Sequence, residues 1–120
     1  MKKLLLAVIV SLSTVTTAAL AEIKVGIILG FTGPIESLTP AMRDGARMAF
    51  DEASNSGNLL GGETITILEA DSTCVDSAAA TAAAEGLVAD GVTAIMGADC
   101  SGVTGAINAN VVVPNGILMV

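Results

Sequence analysis

The sequence has 120 residues, of which 52% are hydrophobic and 2% aromatic, with a formal net charge of −7 and no His. This length accommodates one domain or part of one. The acidic balance argues against nucleic-acid binding, and the lack of His removes the imidazole on which most catalytic triads and zinc sites depend.

Residues 1–21 have the pattern of a secretory signal peptide. A basic start at Lys2 and Lys3 is followed by an apolar run over 4–10 and by Ala19-Leu20-Ala21, an A-x-A cleavage signal. A transmembrane helix is the alternative, but the apolar run is shorter than the about 20 residues that spanning requires. We therefore expect export, with cleavage after Ala21. The mature chain then keeps three basic and twelve acidic residues, a charge of −9.

The first half of the mature chain predicts two strands around one helix. Residues 23–29 are β-rich and almost wholly apolar, as in a central parallel strand, and residues 64–68 alternate with β-branched side chains. Between them a helix is predicted with Thr39 as N-cap and Pro40 at its first position. Its predicted packing stripe consists of small and apolar residues, namely Met42, Gly45, Ala46, Ala49 and Ala53.

The second half continues the alternation. An Ala-rich helix is predicted over 76–90 with Gly91 as C-cap, and a strand over 92–96. A turn and a helix start follow at 97–104. Residues 111–116 are predicted to turn the chain into a last strand over 117–120. Because the chain stops inside that strand, we expect it to be the N-terminal piece of a longer protein.

The order β-α-β-α-β-α-β predicts an α/β fold with a parallel sheet and right-handed crossovers. Ligands of such open sheets bind beyond the carboxyl ends of the strands, at the point where the strand order reverses. Three loops are expected at that edge: 30–38, 71–76 and 97–104.

The loop at 97–104 carries the strongest ligand signal. Ser101 and Thr104 place hydroxyl groups in the first turn of the predicted helix, where free N–H groups and the positive end of the helix dipole favour an anion such as a carboxylate. The alternative is that Ser101 serves only as the helix N-cap.

Cys74 and Cys100 are the two cysteines of the chain, and each follows a predicted strand. An even count in an exported protein favours a disulfide. Two unpaired buried thiols are the alternative, whereas a catalytic dithiol lacks its C-x-x-C spacing.

Other chemistry has weaker signals. Gly30-Phe31-Thr32-Gly33 does not complete a G-x-G-x-x-G dinucleotide motif, and Lys24, the one lysine of the mature chain, lies in a strand rather than a phosphate loop. Asp71, Asp76 and Asp99 follow strands at the same predicted edge. Caps and turns are their usual role, and paired-carboxylate catalysis or a cation site is the alternative.

Four segments give residues 23–120 a resemblance to the leucine/isoleucine/valine-binding proteins, the periplasmic receptors of ABC importers. The segments are Gly33-Pro34-Ile35, Asp71-Ser72-Thr73-Cys74, Gly97-Ala98-Asp99-Cys100-Ser101 and Pro114-Asn115-Gly116-Ile117-Leu118-Met119. The resemblance implies the type I periplasmic binding protein fold, with residues 22–120 forming an incomplete first lobe.

The resemblance also implies a site. It pairs Cys74 with Cys100 in a disulfide, and it has Ser101 bind the α-carboxylate of an amino acid through its hydroxyl and backbone N–H. Leu38 stands where the family often has a large aromatic residue near the ligand. The remaining expected site residues flank the serine; they are Asp99, Cys100, Gly102 and Thr104. The family's amino-group ligands fall beyond Val120.

We therefore predict the binding component of an ABC importer, with a branched-chain or related amino acid as ligand and a membrane permease as partner. No catalysis, cofactor, metal or nucleic acid is expected. Two alternatives stay open: a ligand-sensing receptor domain of the same fold, and an exported α/β enzyme that uses Asp71 or Asp99.

Overall fold

A computed structural model describes residues 22–120; the predicted signal peptide and its cleavage point lie outside this range. The elements in chain order are β1 (Ile23–Leu29), α1 (Thr39–Asn55), β2 (Ile65–Asp71), α2 (Ser77–Ala89), β3 (Ala94–Gly97), α3 (Ser101–Ile107), a π-helical turn (Asn108–Val112), α4 (Val113–Asn115) and β4 (Leu118–Met119), with a short 3₁₀ turn at Leu59–Gly61. In the described range, no helix combines the length and the apolar character that crossing a membrane requires.

The four strands form one parallel sheet in the order β2-β1-β3-β4, which confirms the predicted α/β fold. The chain runs from β1 to its neighbour β2 and then crosses to β3 on the other side of β1. Crossovers between parallel strands follow a right-handed rule, and under that rule α1 and α2 lie on opposite faces of the sheet. The strand order therefore reverses between β1 and β3, where ligands of such sheets bind.

The main core lies between the sheet and the α2–α3 face. Ile28 of β1 and Ile95 of β3 are buried there against the fully buried Ala80 and Ala84 of α2. Alanine at these positions lets α2 lie close to the sheet, and Gly26 allows the same approach, since a Cβ there would stand 2.8 Å from Leu87 Cδ1. The core therefore combines aliphatic side chains with small residues.

Helix α1 differs from its prediction at the start. It begins at Thr39 itself, with Leu38 at the N-cap, and no side chain caps the helix. Thr39 is fully buried and its hydroxyl donates to the Glu36 carbonyl at 3.2 Å. The threonine therefore closes the preceding turn instead of capping the helix.

The packing stripe of α1 was predicted only in part. Ala46 and Ala53 are half-buried as expected, but the other three predicted members are exposed; they are Met42, Gly45 and Ala49. Arg43 and Phe50 are half-buried instead. On the same helix Arg43 pairs with Asp44 at 2.8 Å, and Arg47 pairs with the Glu69 carboxylate of β2 at 2.7 Å.

The segment 111–116 is helical up to Asn115, so the turn predicted there was wrong. The Val113 N–H bonds to the Asn108 carbonyl, a π-type register that admits Pro114 without a break. Side-chain amides satisfy carbonyls along the way: Asn110 bonds to Ala106 and Asn115 to Val111, both at 2.8 Å.

Several boundaries also shift. Strand β2 continues to Asp71, three residues beyond its prediction, because pairing with β1 extends through Leu29. Strand β3 begins at Ala94 and ends at Gly97. Helix α2 has Asp76 as its N-cap and Asp90 as its C-cap; Gly91, predicted as the C-cap, is the residue after it and has a φ of +86°.

Gly97 is expected to be intolerant of a side chain. Its φ is +122°, and a Cβ would overlap the Ile28 carbonyl oxygen of the neighbouring strand. We expect Gly97→Ala to lower the unfolding free energy of the mature protein by about 3 kcal/mol or more in denaturant titrations. The control is Gly86→Ala in α2, where a Cβ meets nothing within 4 Å and a gain of about 0.5–1 kcal/mol is expected. Equal effects of the two substitutions would contradict this account.

Candidate ligand-binding site

The three predicted loops meet at the carboxyl edge of the sheet. The loop after β1 packs on the loop after β2 so closely that a Cβ on Gly33 would stand 2.5 Å from the Thr73 carbonyl oxygen. The loop after β2 is joined to the loop after β3 by a disulfide between Cys74 and Cys100. The placement of these loops at one edge is therefore confirmed.

The disulfide pairs both cysteines of the chain, with their Cα atoms 5.2 Å apart, so the alternative of two unpaired thiols is wrong. It closes a loop across a sequence separation of 26 residues. The chain-entropy model gives about 3–4 kcal/mol of stabilisation for a loop of that size. The disulfide therefore fixes the second loop to the third, which the pairing of the strands does not do by itself.

Asp71 organises the second loop and ties it to the first. Its carboxylate accepts from the Thr73 N–H at 2.8 Å, an Asx turn, and from the Thr32 hydroxyl at 2.6 Å. Partial burial disfavours the charged form, but the hydrogen bonds from Thr32 and Thr73 outweigh it and hold the pKa of Asp71 below its usual value. These bonds also support Thr73 and Cys74, whose φ values of +57° and +69° are uncommon outside glycine.

Asp99 links the third loop to the other two. Its carboxylate oxygens accept from the Gly30 N–H at 2.9 and 3.1 Å, and the Ser72 hydroxyl lies 3.4 Å from Oδ1. Ser72 is fully buried and Gly30 is buried as well. Asp99, predicted as a site residue, thus contacts the first residue after β1 and the first residue after β2.

The three aspartates of this edge all accept hydrogen bonds from backbone N–H groups. Asp76 receives them from Ala78 and Ala79 as the N-cap of α2, and Asp71 and Asp99 receive them from the loops. Across residues 22–120, no group of three or more Cys, Asp or Glu side chains is arranged to hold a metal ion. Asp76 caps a helix and Asp71 closes a turn, the usual roles of such residues, whereas Asp99 and the Thr32 bond of Asp71 connect different loops.

Ser101 lies at the first position of α3, at the point where the strand order reverses. Its side chain is exposed, and its hydroxyl forms no hydrogen bond with any residue of the described range. The N-cap is Cys100, so the alternative that Ser101 serves as the cap is wrong. Gly102 follows it, also exposed, and the N–H groups of a first helical turn have no partner within the helix.

The other predicted site residues have different surroundings. The Thr104 hydroxyl lies 2.9 Å from the carbonyl oxygens of both Ala98 and Cys100, so it binds the loop backbone. Cys100 packs against the core beside its disulfide. Leu38 lies at the N-cap of α1 with 61% of its surface exposed.

The sequence analysis missed three residues that hold the edge together: Gly30, Thr32 and Ser72. An Asx turn is recognisable in Asp71-Ser72-Thr73, so the bend of the second loop was predictable from its residue types. The bonds from Gly30 to Asp99 and from Thr32 to Asp71 span 69 and 39 residues, and no local sequence pattern predicts them.

A family model described as periplasmic binding protein matches residues 22–120. The chain therefore belongs to the periplasmic binding protein family, as the resemblance in its loops predicts. Among curated relatives, the Leu/Ile/Val-binding protein BraC3 of Rhizobium johnstonii is 31% identical over 118 residues, which are 98% of this chain and 31% of that protein.

Solved structures give the same result. The branched-chain amino acid transporter substrate binding protein LivJ of Streptococcus pneumoniae, in complex with isoleucine, is 28% identical with a TM-score of 0.74 over 82% of this chain and 28% of that one. The leucine binding protein LivK of Thermotoga maritima is 26% identical with a TM-score of 0.69 over 81% and 26%. The chain thus spans between 26% and 31% of the length of these relatives, and all three are named as binding proteins.

The low pKa of Asp71 predicts a pH-dependent contribution to stability. A group with a lowered pKa in the folded state stabilises above its unfolded pKa of about 3.9 and loses this effect as the pH falls through the folded value. We expect Asp71→Asn to reduce the unfolding free energy by on the order of 1 kcal/mol at pH 6–7, and by progressively less below about pH 4. Chemical denaturation across pH 2–7 measures this difference.

The control is Asp51→Asn, which removes one negative charge from an exposed position of α1, remote from the three loops. It should leave stability within about 0.5 kcal/mol of the parent protein. A deficit for Asp71→Asn that stays constant down to pH 2 would contradict the role of the ionised carboxylate.

Proposed function

We propose that this chain forms part of the first lobe of a substrate-binding protein that delivers branched-chain or related amino acids to the membrane permease of an ABC importer. The family membership and the names of the three relatives support this proposal. The protein binds and releases its ligand without chemical change. The observation that carries the proposal is the Ser101 hydroxyl, exposed and without a protein partner, in the first turn of a helix at the reversal of strand order.

In this proposal the ligand's α-carboxylate accepts hydrogen bonds from the Ser101 hydroxyl and from the N–H groups of Ser101 and Gly102. The helix dipole adds a favourable positive potential at that position. Thr104 and Cys100 hold the loop that presents these donors, through the Thr104 hydroxyl bonds and the disulfide. The exposed Leu38 supplies apolar surface for the ligand's side chain. A second lobe closes over the ligand and excludes water, as two-lobed receptors do.

The proposed location is the periplasm, with residues 1–21 removed on export and Glu22 as the new N-terminus. Family membership supports the compartment, and the A-x-A sequence at 19–21 supports the cleavage point. Expression with the leader intact, followed by intact-mass measurement of the periplasmic fraction, should give a chain that starts at Glu22. A mass that retains the leader would contradict cleavage at this position.

The direct test is ligand binding by the mature protein. Titration calorimetry with leucine, isoleucine and valine should show saturable binding, and amides and sugars serve as comparison ligands. Ser101→Ala should weaken binding of these amino acids by about 10- to 150-fold, because it removes a charge-assisted hydrogen bond of roughly 1.5–3 kcal/mol.

A matched control is Ser56→Ala. Ser56 follows α1 at the opposite edge of the sheet, where its hydroxyl donates to the Ala53 carbonyl at 2.7 Å. Its loss should leave the Kd unchanged. Equal affinities for the parent protein and Ser101→Ala would remove Ser101 from the site, and an absence of binding to any of the three amino acids would overturn the proposed ligand class.

A further inference from the structure

The Asp99 carboxylate already has hydrogen-bond partners within the protein, unlike a side chain that is free to bind a ligand. Both of its carboxylate oxygens accept from the Gly30 N–H, at 2.9 and 3.1 Å, and the Ser72 hydroxyl is within 3.4 Å of Oδ1. Gly30 is the first residue after β1, and Ser72 is the first residue after β2. The Asp99 carboxylate on the third loop therefore binds the first residue of each of the other two loops.

The surroundings of these donors leave little room for a substitute. Gly30 is buried, and a Cβ at that position would stand 3.2 Å from Cys74 Cβ and 3.3 Å from Ile35 Cγ1. Ser72 has no exposed surface, and its own N–H donates to the Leu29 carbonyl at 2.8 Å. A buried N–H that loses its acceptor is costly, so removal of the Asp99 carboxylate forces Gly30 and the residues around it to rearrange.

The third loop is also anchored on its other side. The Gly97 N–H donates to the Val120 carbonyl at 2.7 Å, and the Thr104 hydroxyl binds the carbonyls of the loop. Asp99 lies between these anchors and two residues before Ser101. Its bond to Gly30 crosses between β1 and β3, the two strands at which the order of the sheet reverses.

We propose that Asp99 is a positioning residue: it holds the three loops in register and so aims Ser101 and its N–H groups at the ligand, without touching the ligand itself. This inference rests on the proposed function for the identity of the ligand. The hydrogen bonds that Asp99 makes to the loops do not depend on the identity of the ligand. They give Asp99 a role that differs from direct contact with the ligand.

Two substitutions separate positioning from contact. In Asp99→Asn the amide oxygen still accepts from the Gly30 N–H, and the amide nitrogen can donate to the Ser72 hydroxyl. In Asp99→Ala both links are lost. With leucine as the probe in titration calorimetry of the mature protein, we expect the Kd to rise at least tenfold in Asp99→Ala and to stay within about threefold in Asp99→Asn.

A control variant separates positioning from general stability. Val111→Ala truncates a fully buried side chain of the main core, and it should lower the melting temperature while leaving the Kd for leucine unchanged. An unchanged Kd in Asp99→Ala would overturn the proposal. Equal losses in Asp99→Asn and Asp99→Ala would replace it with direct contact through the charge, and an equal loss in Val111→Ala would reduce it to fold stability.

Hydrogen exchange provides a readout that needs no ligand. Amides of residues 30–33 and 72–75 should exchange at least tenfold faster in Asp99→Ala than in the parent protein, with parent-like rates in Asp99→Asn and in the strands of all variants. Unchanged exchange in both segments would overturn the positioning role. If the parent protein does not bind leucine, the proposed ligand is wrong, and the exchange rates still decide the role of Asp99.

Discussion

The hydrogen bonds between the Asp99 carboxylate and the Gly30 N–H join the two strands between which the sheet reverses its order. A parallel sheet brings the ends of its strands to one edge, but it does not determine how the following loops are arranged. Here the loop after β3 reaches back to the first residue after β1, and through Ser72 to the first residue after β2. The exposed Ser101 depends on this contact because it lies two residues further along the same loop.

Two further contacts also hold the loops of this edge together. The disulfide connects the second and third loops covalently, and Asp71 connects the second loop with Thr32 of the first. Thr73 and Cys74 adopt left-handed backbone conformations, which cost of order 1–3 kcal/mol each without such support. The Asx turn at Asp71 and the disulfide at Cys74 hold these two residues in place, so the cost of the strained turn is offset by bonds made at the turn itself.

Three of the twelve acidic residues of the chain have a structural role at this edge. The carboxylates of Asp71, Asp76 and Asp99 each accept hydrogen bonds from backbone N–H groups, after the ends of strands or at the start of α2. Carboxylates suit this role because a charged acceptor forms stronger hydrogen bonds than a neutral one. The open donors of the edge belong instead to Ser101 and the first turn of its helix, which is where an anionic group of a ligand is favoured.

The sequence by itself determined the alternation of strands and helices, the parallel sheet, the pairing of Cys74 with Cys100 and the meeting of three loops at one edge. These features follow from local signals: the apolar periodicity of each segment, the residue types in its turns and the resemblance of four short segments to a family. The tertiary structure decided which side of α1 faces the sheet, because packing on β1 and β2 half-buries Phe50 and leaves Met42 exposed. It also decided that Asp99 holds Gly30 and that Ser101 is free, because partners 69 residues apart are matched only when the strands between them have packed.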